Sequence, residues 1–232
     1  MSKKVFLGIG HGGSDPGAIG NGFEEADLNL AIGQACNSEL IRHGVQVLMS
    51  RTKDENDPLT EEIKECNAFK PDLAIDIHNN AGGGDGAEAF YHYKGGASKT
   101  LADNVLAEIV KAGQNSRGAK IKKNAQGKDY FGFIRETSAP AVIVECAFVD
   151  NKTDIQIIDT AAEQKAMGEA IAKGILKTLG IAYKAPVTPV TNTTTNASGK
   201  IYRVQVGAYS VKANAEAMQK KLKAAGFDAI IV

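Results

Sequence analysis

Two of the four histidines in this 232-residue chain stand where a run of mostly apolar residues ends. His11 comes two positions after the first run, His78 comes directly after a second run, and Glu145 comes directly after a third. Two histidines and one carboxylate are a common ligand set for a catalytic zinc, with the fourth position left to water. Such a site also needs a glutamate that acts as a base without binding the metal. The three positions are therefore candidates for a metal site.

Short buried strands and one glycine-rich loop would have to bring these side chains together. The apolar runs predict buried strands, whereas the glycines of residues 10–22 exclude a helix or strand interior there. Taken alone, that loop is equally typical of an ordinary surface turn with an exposed histidine. Ligands of an open α/β sheet bind at the carboxyl ends of its strands. If the three strands are parallel neighbours, four side chains meet at one edge of the sheet: His11, Glu25, His78 and Glu145.

Strand and helix patterns alternate along the first 180 or so residues, which predicts an α/β fold with a largely parallel or mixed central sheet flanked by helices. The spacing of apolar residues predicts helices over residues 27–43, 59–69, 98–112 and 160–179. Residues 86–93 alternate between two faces, which predicts a half-exposed or edge strand.

A polar and basic segment, residues 115–128, precedes several aromatic side chains within residues 129–135. The segment is typical of a solvated loop. Alternatively, it forms a cationic wall beside the site, suited to an anionic polymer. The aromatic side chains are predicted to line the pocket.

The composition changes at Lys184, where a stretch rich in threonine, proline and asparagine begins. Residues 184–199 have no periodicity and are predicted to be a linker. Residues 200–232 follow with a strand–helix–strand pattern, which predicts strands over 201–208 and 227–232 and a helix over 211–225. A unit of this size lies below the roughly 40 residues at which a lone core becomes hard to stabilise, so it is expected to need a partner.

Charge and cysteine content exclude several classes of function. Lys and Arg number 27, and Asp and Glu also number 27, which offers no basic surface for nucleic acid. No apolar run approaches the roughly 20 residues of a membrane span, so no membrane insertion is expected. The apolar stretch near the N-terminus is too short for a secretory signal. Three unpatterned cysteines are typical of reduced thiols in a protein made in the cytoplasm.

The motifs of residues 5–179 resemble those of the zinc-dependent N-acetylmuramoyl-L-alanine amidases. They are HGGSDPGA at 11–18, the Glu25 that follows, SRT at 50–52, IHNN at 77–80, GAE at 86–88, and PAVIVE at 140–145 with Phe148. The resemblance implies zinc bound by His11, Glu25 and His78, with Glu145 as the catalytic glutamate.

The resemblance also implies a substrate and a place of action. The substrate is peptidoglycan, cut at the amide between the lactyl group of N-acetylmuramic acid and the L-alanine of the stem peptide by zinc-activated water. Because no secretory signal is expected, the protein would reach the cell wall after release, either as a phage endolysin released by a holin or as an autolysin released by lysis of a mother cell. Another zinc peptidase acting on wall peptides and a non-catalytic peptidoglycan-binding protein are the alternatives.

The C-terminal residues 200–232 resemble one half of a SPOR peptidoglycan-binding domain, through residues 202–209, 213–215 and 226–227. SPOR domains pair two such halves. The expected organisation is therefore a catalytic domain over 1–183, the linker, and a wall-binding unit that pairs with that of a second chain in a homodimer.

The chain departs from the family pattern at three places. Ile9, Gly10 and His11 stand where many members have Asp-Pro-Gly-His, which removes a carboxylate that could orient the metal ligand. Asp76 stands where a serine is common, and Glu62 stands near a usual arginine. No blocking helix is expected in the segment between Tyr93 and Asp129, so the site is predicted to be ungated. Asn80 and Glu88 match recurrent family positions and are expected to act only in support of the ligands.

Overall fold

The computed structural model describes residues 2–186, 206, 212–224, 226, 227 and 229–231. The chain divides into two compact units, Met1–Ala185 and Pro186–Val232. None of the helices in the described part of the chain combines the length and the apolar character that a membrane-spanning helix needs.

The first unit is built on a six-stranded sheet, whose strands are β1 Lys4–Ile9, β4 Gln46–Met49, β5 Leu73–Asn80, β6 Ala87–Tyr91, β7 Ser116–Lys120 and β8 Ala141–Phe148. A separate two-stranded ribbon is formed by β2 Ile19–Gly20 and β3 Phe23–Glu24. The strand order in the six-stranded sheet is β4-β1-β5-β8-β6-β7. Strands β4, β1, β5 and β8 run parallel, whereas β6 is antiparallel to β8. The predicted mixed α/β sheet is confirmed.

Helices cover both faces of this sheet. They are α1 Glu25–Arg42, α2 Leu59–Phe69, α3 Ala97–Lys111, α4 Gly132–Glu136 and α5 Ala161–Thr178, with a 3-10 turn at Asp154–Ile157. Helix α5 begins at a capping box, in which the Thr160 side chain accepts from the backbone N–H of Glu163 and the Glu163 carboxylate accepts from the backbone N–H of Thr160. A Ser/Thr–Glu pair of this kind satisfies two backbone donors that the helix leaves free.

The alternation of side chains along each strand divides the apolar residues between two cores. The larger core lies between the sheet and helices α1, α3 and α5, and takes Leu7, Ile75 and Val144 from the central strands. The smaller core lies under α2 and α4, and takes Phe6 and Ala74 from the intervening positions. Because successive strand residues point to opposite faces, one register serves both cores.

Residues 86–93 were expected to form a half-exposed or edge strand. Strand β6 lies inside the sheet, between β8 and β7, so the edge alternative is wrong, and its residues are buried or half-buried. The edge on this side of the sheet is β7, which forms within the basic segment that was expected to be a loop or a cationic wall. Its sequence, SRGAK, has no apolar alternation. It is held by backbone pairing with β6, in which Ala89 lies opposite Ala119.

The second unit contains the helix α6 Lys212–Ala224, in the place predicted. Four of its described apolar residues are exposed to solvent, namely Val206, Phe227, Ile230 and Ile231. The predicted strand over 201–208, apart from Val206, and residues 187–199 of the predicted linker lie outside the described residues. The predicted strand over 227–232 lies partly outside them.

Candidate metal centre

Three neighbouring strand ends supply most of the site. Strands β1, β5 and β8 are adjacent and parallel, so their carboxyl ends share one edge of the sheet. His78 lies on β5 directly opposite Glu145 on β8. His11 lies in the loop after β1, and Glu25 is the first residue of α1. The four side chains predicted from the sequence therefore converge on the same edge.

The position of the His78 ring depends on the absence of a side chain at residue 10. A Cβ atom on Gly10 would lie 2.2 Å from Cε1 and 2.4 Å from Nε2 of the His78 ring. No side chain fits there without moving the imidazole. His11 itself has a φ of 64°, in the left-handed region that residues other than glycine rarely adopt and that is enriched at functional sites.

Glu25 lies between the two histidines. Its Oε1 atom is 3.0 Å from Nδ1 of His78, and its Oε2 atom is 3.3 Å from Nε2 of His11. The two imidazole rings meet edge to face with centroids 5.0 Å apart. One ligand atom from each of the three residues lies within 4.8 Å of the other two. Two imidazole nitrogens and a carboxylate oxygen at this separation can surround a single divalent ion.

The outward nitrogen of each histidine contacts a second carboxylate. Nδ1 of His11 is 2.9 Å from Oδ2 of Asp15, and Nε2 of His78 is 3.1 Å from Oδ2 of Asp76. Protons on these outward nitrogens leave the inward nitrogens, which otherwise donate to Glu25, free to bind a metal. Although the usual carboxylate before His11 is absent, two others contact the histidines, and the sequence did not predict them.

Backbone donors and both histidines stabilise the negative charge of Glu25. The backbone N–H groups of Ala18 and Asn79 donate to its two carboxylate oxygens. Burial alone would raise its pKa, but hydrogen bonds from His11 and His78 hold that pKa well below its usual range. Glu25 is therefore ionised at neutral pH, as a metal-binding carboxylate must be.

Glu145 has a different environment. Burial raises its pKa to about 7, opposed by His78 and reinforced by the charges of Glu25 and Asp76. Its Oε2 atom is buried and has no hydrogen-bond partner among the described residues. A carboxyl group of this kind can exchange a proton near neutral pH.

Beside the histidines lies a cleft of about 570 Å³. His11 and His78 line it together with Phe131 and Phe133. The prediction that aromatic residues of 129–135 line the pocket is therefore confirmed for these two phenylalanines, whereas Tyr130 does not line it. None of the described residues that line it belongs to α3, which packs against the larger core on the other face of the sheet.

Glu88 organises the basic residues at the edge of the sheet. It lies opposite Glu145 on the neighbouring strand, and its Oε1 atom accepts a hydrogen bond of 3.0 Å from Asn80. Arg117, at 2.9 Å, and Lys120 both form ion pairs with its other oxygen. Two cations of the basic segment are thus paired with an acid rather than free.

Comparison with known proteins places this geometry in a family. The model of the N-acetylmuramoyl-L-alanine amidase family matches residues 5–177, and that of the SPOR domain matches residues 168–232. The chain belongs to the N-acetylmuramoyl-L-alanine amidase family. It is 32% identical to the sporulation-specific N-acetylmuramoyl-L-alanine amidase of Bacillus subtilis (strain 168), over 99% of this chain and 84% of that protein.

Two further relatives extend the likeness. The endolysin of Bacillus phage SPP1 is 34% identical over 80% of this chain and 69% of its own length. The solved structure of the N-acetylmuramoyl-L-alanine amidase AmiC2 of Nostoc punctiforme superposes with a TM-score of 0.70 at 30% identity, covering 77% of this chain and 97% of that one. This amidase is thus a hydrolase of peptidoglycan, as the motifs predicted, and it shares the α/β fold of its family.

Proposed function

We propose that this amidase cleaves the bond between the lactyl group of N-acetylmuramic acid and the L-alanine of the stem peptide, using a zinc ion held by His11, Glu25 and His78. Glu145 is the general base. The observation that carries the proposal is the set of three ligand atoms within 4.8 Å of one another. Beside them lies the buried Oε2 atom of Glu145, which has no hydrogen-bond partner among the described residues.

The donor set suits zinc in three respects. Two imidazoles and one carboxylate match the preference of catalytic zinc for nitrogen and oxygen ligands. Each imidazole has a carboxylate on its other nitrogen, the arrangement that fixes the tautomer of a metal-binding histidine. When bound, zinc supplies a Lewis acid that activates water and polarises the substrate carbonyl.

Glu145 carries the proton. It accepts a proton from the attacking water and returns it to the alanine nitrogen as the amide C–N bond breaks. A base that must later act as an acid works best with a pKa near the working pH, and burial raises the pKa of Glu145 to about 7. Because Glu145 lies directly opposite His78 across the strand pair, the proton is taken up beside the metal ligands.

The C-terminal unit is proposed to bind the wall. A SPOR match over residues 168–232 supports peptidoglycan binding, and the exposed Phe227 and Ile230 support pairing of two such units in a homodimer. We assign residues 1–183 to catalysis, 184–199 to the linker and 200–232 to wall binding. A monomeric mass at micromolar concentration, with α6 folded, would contradict the pairing.

The place of action that follows is the cell wall. Endolysins are among the relatives, which supports release by a holin or by lysis of a mother cell. Purified protein added to intact cells and to isolated walls tests this. A protein that acts after release should degrade any wall that it can reach.

The chemistry is tested by mass spectrometry of digested walls. The wild type should release intact stem peptides from the glycan, a chelator should stop the release, and added zinc should restore it. Glu145→Gln should keep its zinc and lose about 10²- to 10⁴-fold in rate, the usual contribution of a general base. Glu136→Gln, on an exposed side chain paired with Arg135, is the matched control and should cleave normally.

Other products would point elsewhere. Fragments cut within the stem peptide would identify a peptidase and contradict the assigned bond. Wall binding without any product, in a zinc-loaded protein, would indicate a non-catalytic binding protein.

A further inference from the structure

A pair of buried carboxyl groups lies behind the metal centre. Asp76 is 3% exposed and Glu62 is 5% exposed. Oδ2 of Asp76 contacts Nε2 of His78 at 3.1 Å. The other oxygen of Asp76 and the Oε1 atom of Glu62 are buried and have no hydrogen-bond partner among the described residues. A buried carboxyl group with unused hydrogen-bonding capacity is costly, so its presence needs an explanation.

Both carboxyl groups occupy space that the backbone of β1 leaves open. A Cβ atom on Gly8 would lie 2.1 Å from Oε1 of Glu62 and 2.8 Å from Oδ1 of Asp76. Gly8 and Asp76 are opposite one another in the parallel strand pair. The missing side chain at residue 8 therefore leaves space for Glu62 beside Asp76, just as the missing side chain at residue 10 leaves space for the His78 ring.

We propose that Asp76 is a positioning residue for the metal centre, which holds the ring of His78 with Nε2 protonated and Nδ1 directed at the metal. Glu62, in the space over Gly8, packs behind Asp76 and limits its movement. The inference rests on the proposed metal site. Asp76 acts only through His78, and no role in proton transfer to the substrate is assigned to it.

Comparison with His11 shows why Asp76 should contribute more to metal affinity than Asp15. Asp15 contacts His11 at a similar distance, but 66% of its side chain is exposed, against 4% for Asp76. Water competes for an exposed hydrogen bond, whereas a buried one acts in a medium of low dielectric constant. Carboxylates behind a metal-binding histidine typically contribute 10- to 100-fold to metal affinity. The upper part of that range is expected for Asp76 and the lower part for Asp15.

The experiment uses the full chain and zinc alone, without substrate. Zinc affinity is measured by competition with a chromophoric chelator for the wild type and four variants. Asp76→Ala should weaken binding about 10- to 100-fold. Asp76→Asn, which keeps an acceptor oxygen of the same shape, should recover part of that loss. Asp15→Ala should lose less than Asp76→Ala, and Asp103→Ala, at an exposed helix position, should bind as the wild type.

A second readout separates positioning from stability. In metal-free protein, ¹⁵N NMR of His78 should show a proton on Nε2 in the wild type and in Asp76→Asn, whether or not Nδ1 also donates to Glu25, and loss of the Nε2 proton in Asp76→Ala. The wild-type spectrum is informative even if Asp76→Ala does not fold, because an Nε2 atom without a proton there would overturn the inference.

The two proposals fail in different ways. If the wild type binds no zinc, the metal site is wrong, while the NMR measurement still tests the contact between Asp76 and His78. If the wild type binds zinc and Asp76→Ala binds it within about 2-fold of the wild type, against the 10-fold minimum expected, the positioning role is wrong and the metal site stands.

Discussion

The substitution Gly10→Ala tests whether the space over residue 10 fixes the position of the His78 ring. A Cβ atom at this position would lie 2.2 Å from Cε1 and 2.6 Å from Nδ1 of His78. Ordinary contact between carbon atoms begins near 3.5 Å, so the ring must retreat by about 1 Å. That displacement acts on the nitrogen that lies 3.0 Å from Glu25. One added methyl group should therefore disturb the ligand set without removing any ligand.

The size of the effect follows from the displacement. Misplacing a reacting group by about 1 Å typically costs about 10²-fold in rate. We expect the same order of loss in kcat/KM for wall hydrolysis, together with weaker zinc binding. Overpacking costs about 1–3 kcal/mol of unfolding free energy, so the variant should fold and its urea midpoint should fall modestly.

Gly33→Ala provides the matched control. Its Cβ atom would lie 2.2 Å from Cδ1 of Ile9, the same overlap as at Gly10 but against the end of a flexible side chain in the larger core. Helix α1 also gains propensity from alanine, worth about 1 kcal/mol. Zinc affinity and turnover should be unchanged. If Gly10→Ala kept wild-type zinc affinity and kcat/KM, the ring of His78 would not rest on Gly10 and the seating argued above would be refuted.

Three further substitutions test the ligand set and the scaffold. His78→Ala should bind no zinc at the centre, measured as metal per chain after dialysis; an unchanged zinc content would show that it is not a ligand. Phe6→Ala, in the smaller core against Phe133, should cost about 3–5 kcal/mol of unfolding free energy in urea titration, and a loss below 1 kcal/mol would contradict the packing. Thr160→Ala removes the cap of α5 and should cost about 1 kcal/mol, seen as a lower melting temperature with unchanged zinc binding; an unaltered melting temperature would argue against the capping box.

The sequence predicted that the four side chains converge because part of the signal lies within single strands. An apolar run that ends in His78 shows both the strand and the side chain at its end. The same holds for the run that contains Glu145. Parallel neighbours then bring the ends together, which the strand order β1-β5-β8 confirms.

Strand β7 could not be predicted in the same way, and the carboxylate contacts behind the histidines were missed although a signal for them exists. Strand β7 has no apolar period. It forms because the backbone of β6 offers hydrogen bonds, and pairing with a distant strand leaves no pattern in the local sequence. Asp15 and Asp76 do carry a local signal. Asp15 follows His11 by four residues, and Asp76 shares a strand face with His78 because the two are separated by two positions.

The packing of the smaller core explains how the positions of His78 and Glu145 are fixed. Phe6, Ala74 and Ala141 lie side by side across three strands, and all belong to that core. Further along the same face, β5 carries His78 and β8 carries Glu145 in register with it. Because one strand holds both the packed residue and the functional residue four positions on, the backbone that the core fixes also fixes the site. The packed backbone thus holds His78 and Glu145, whereas His11 lies in a loop and Glu25 begins a helix.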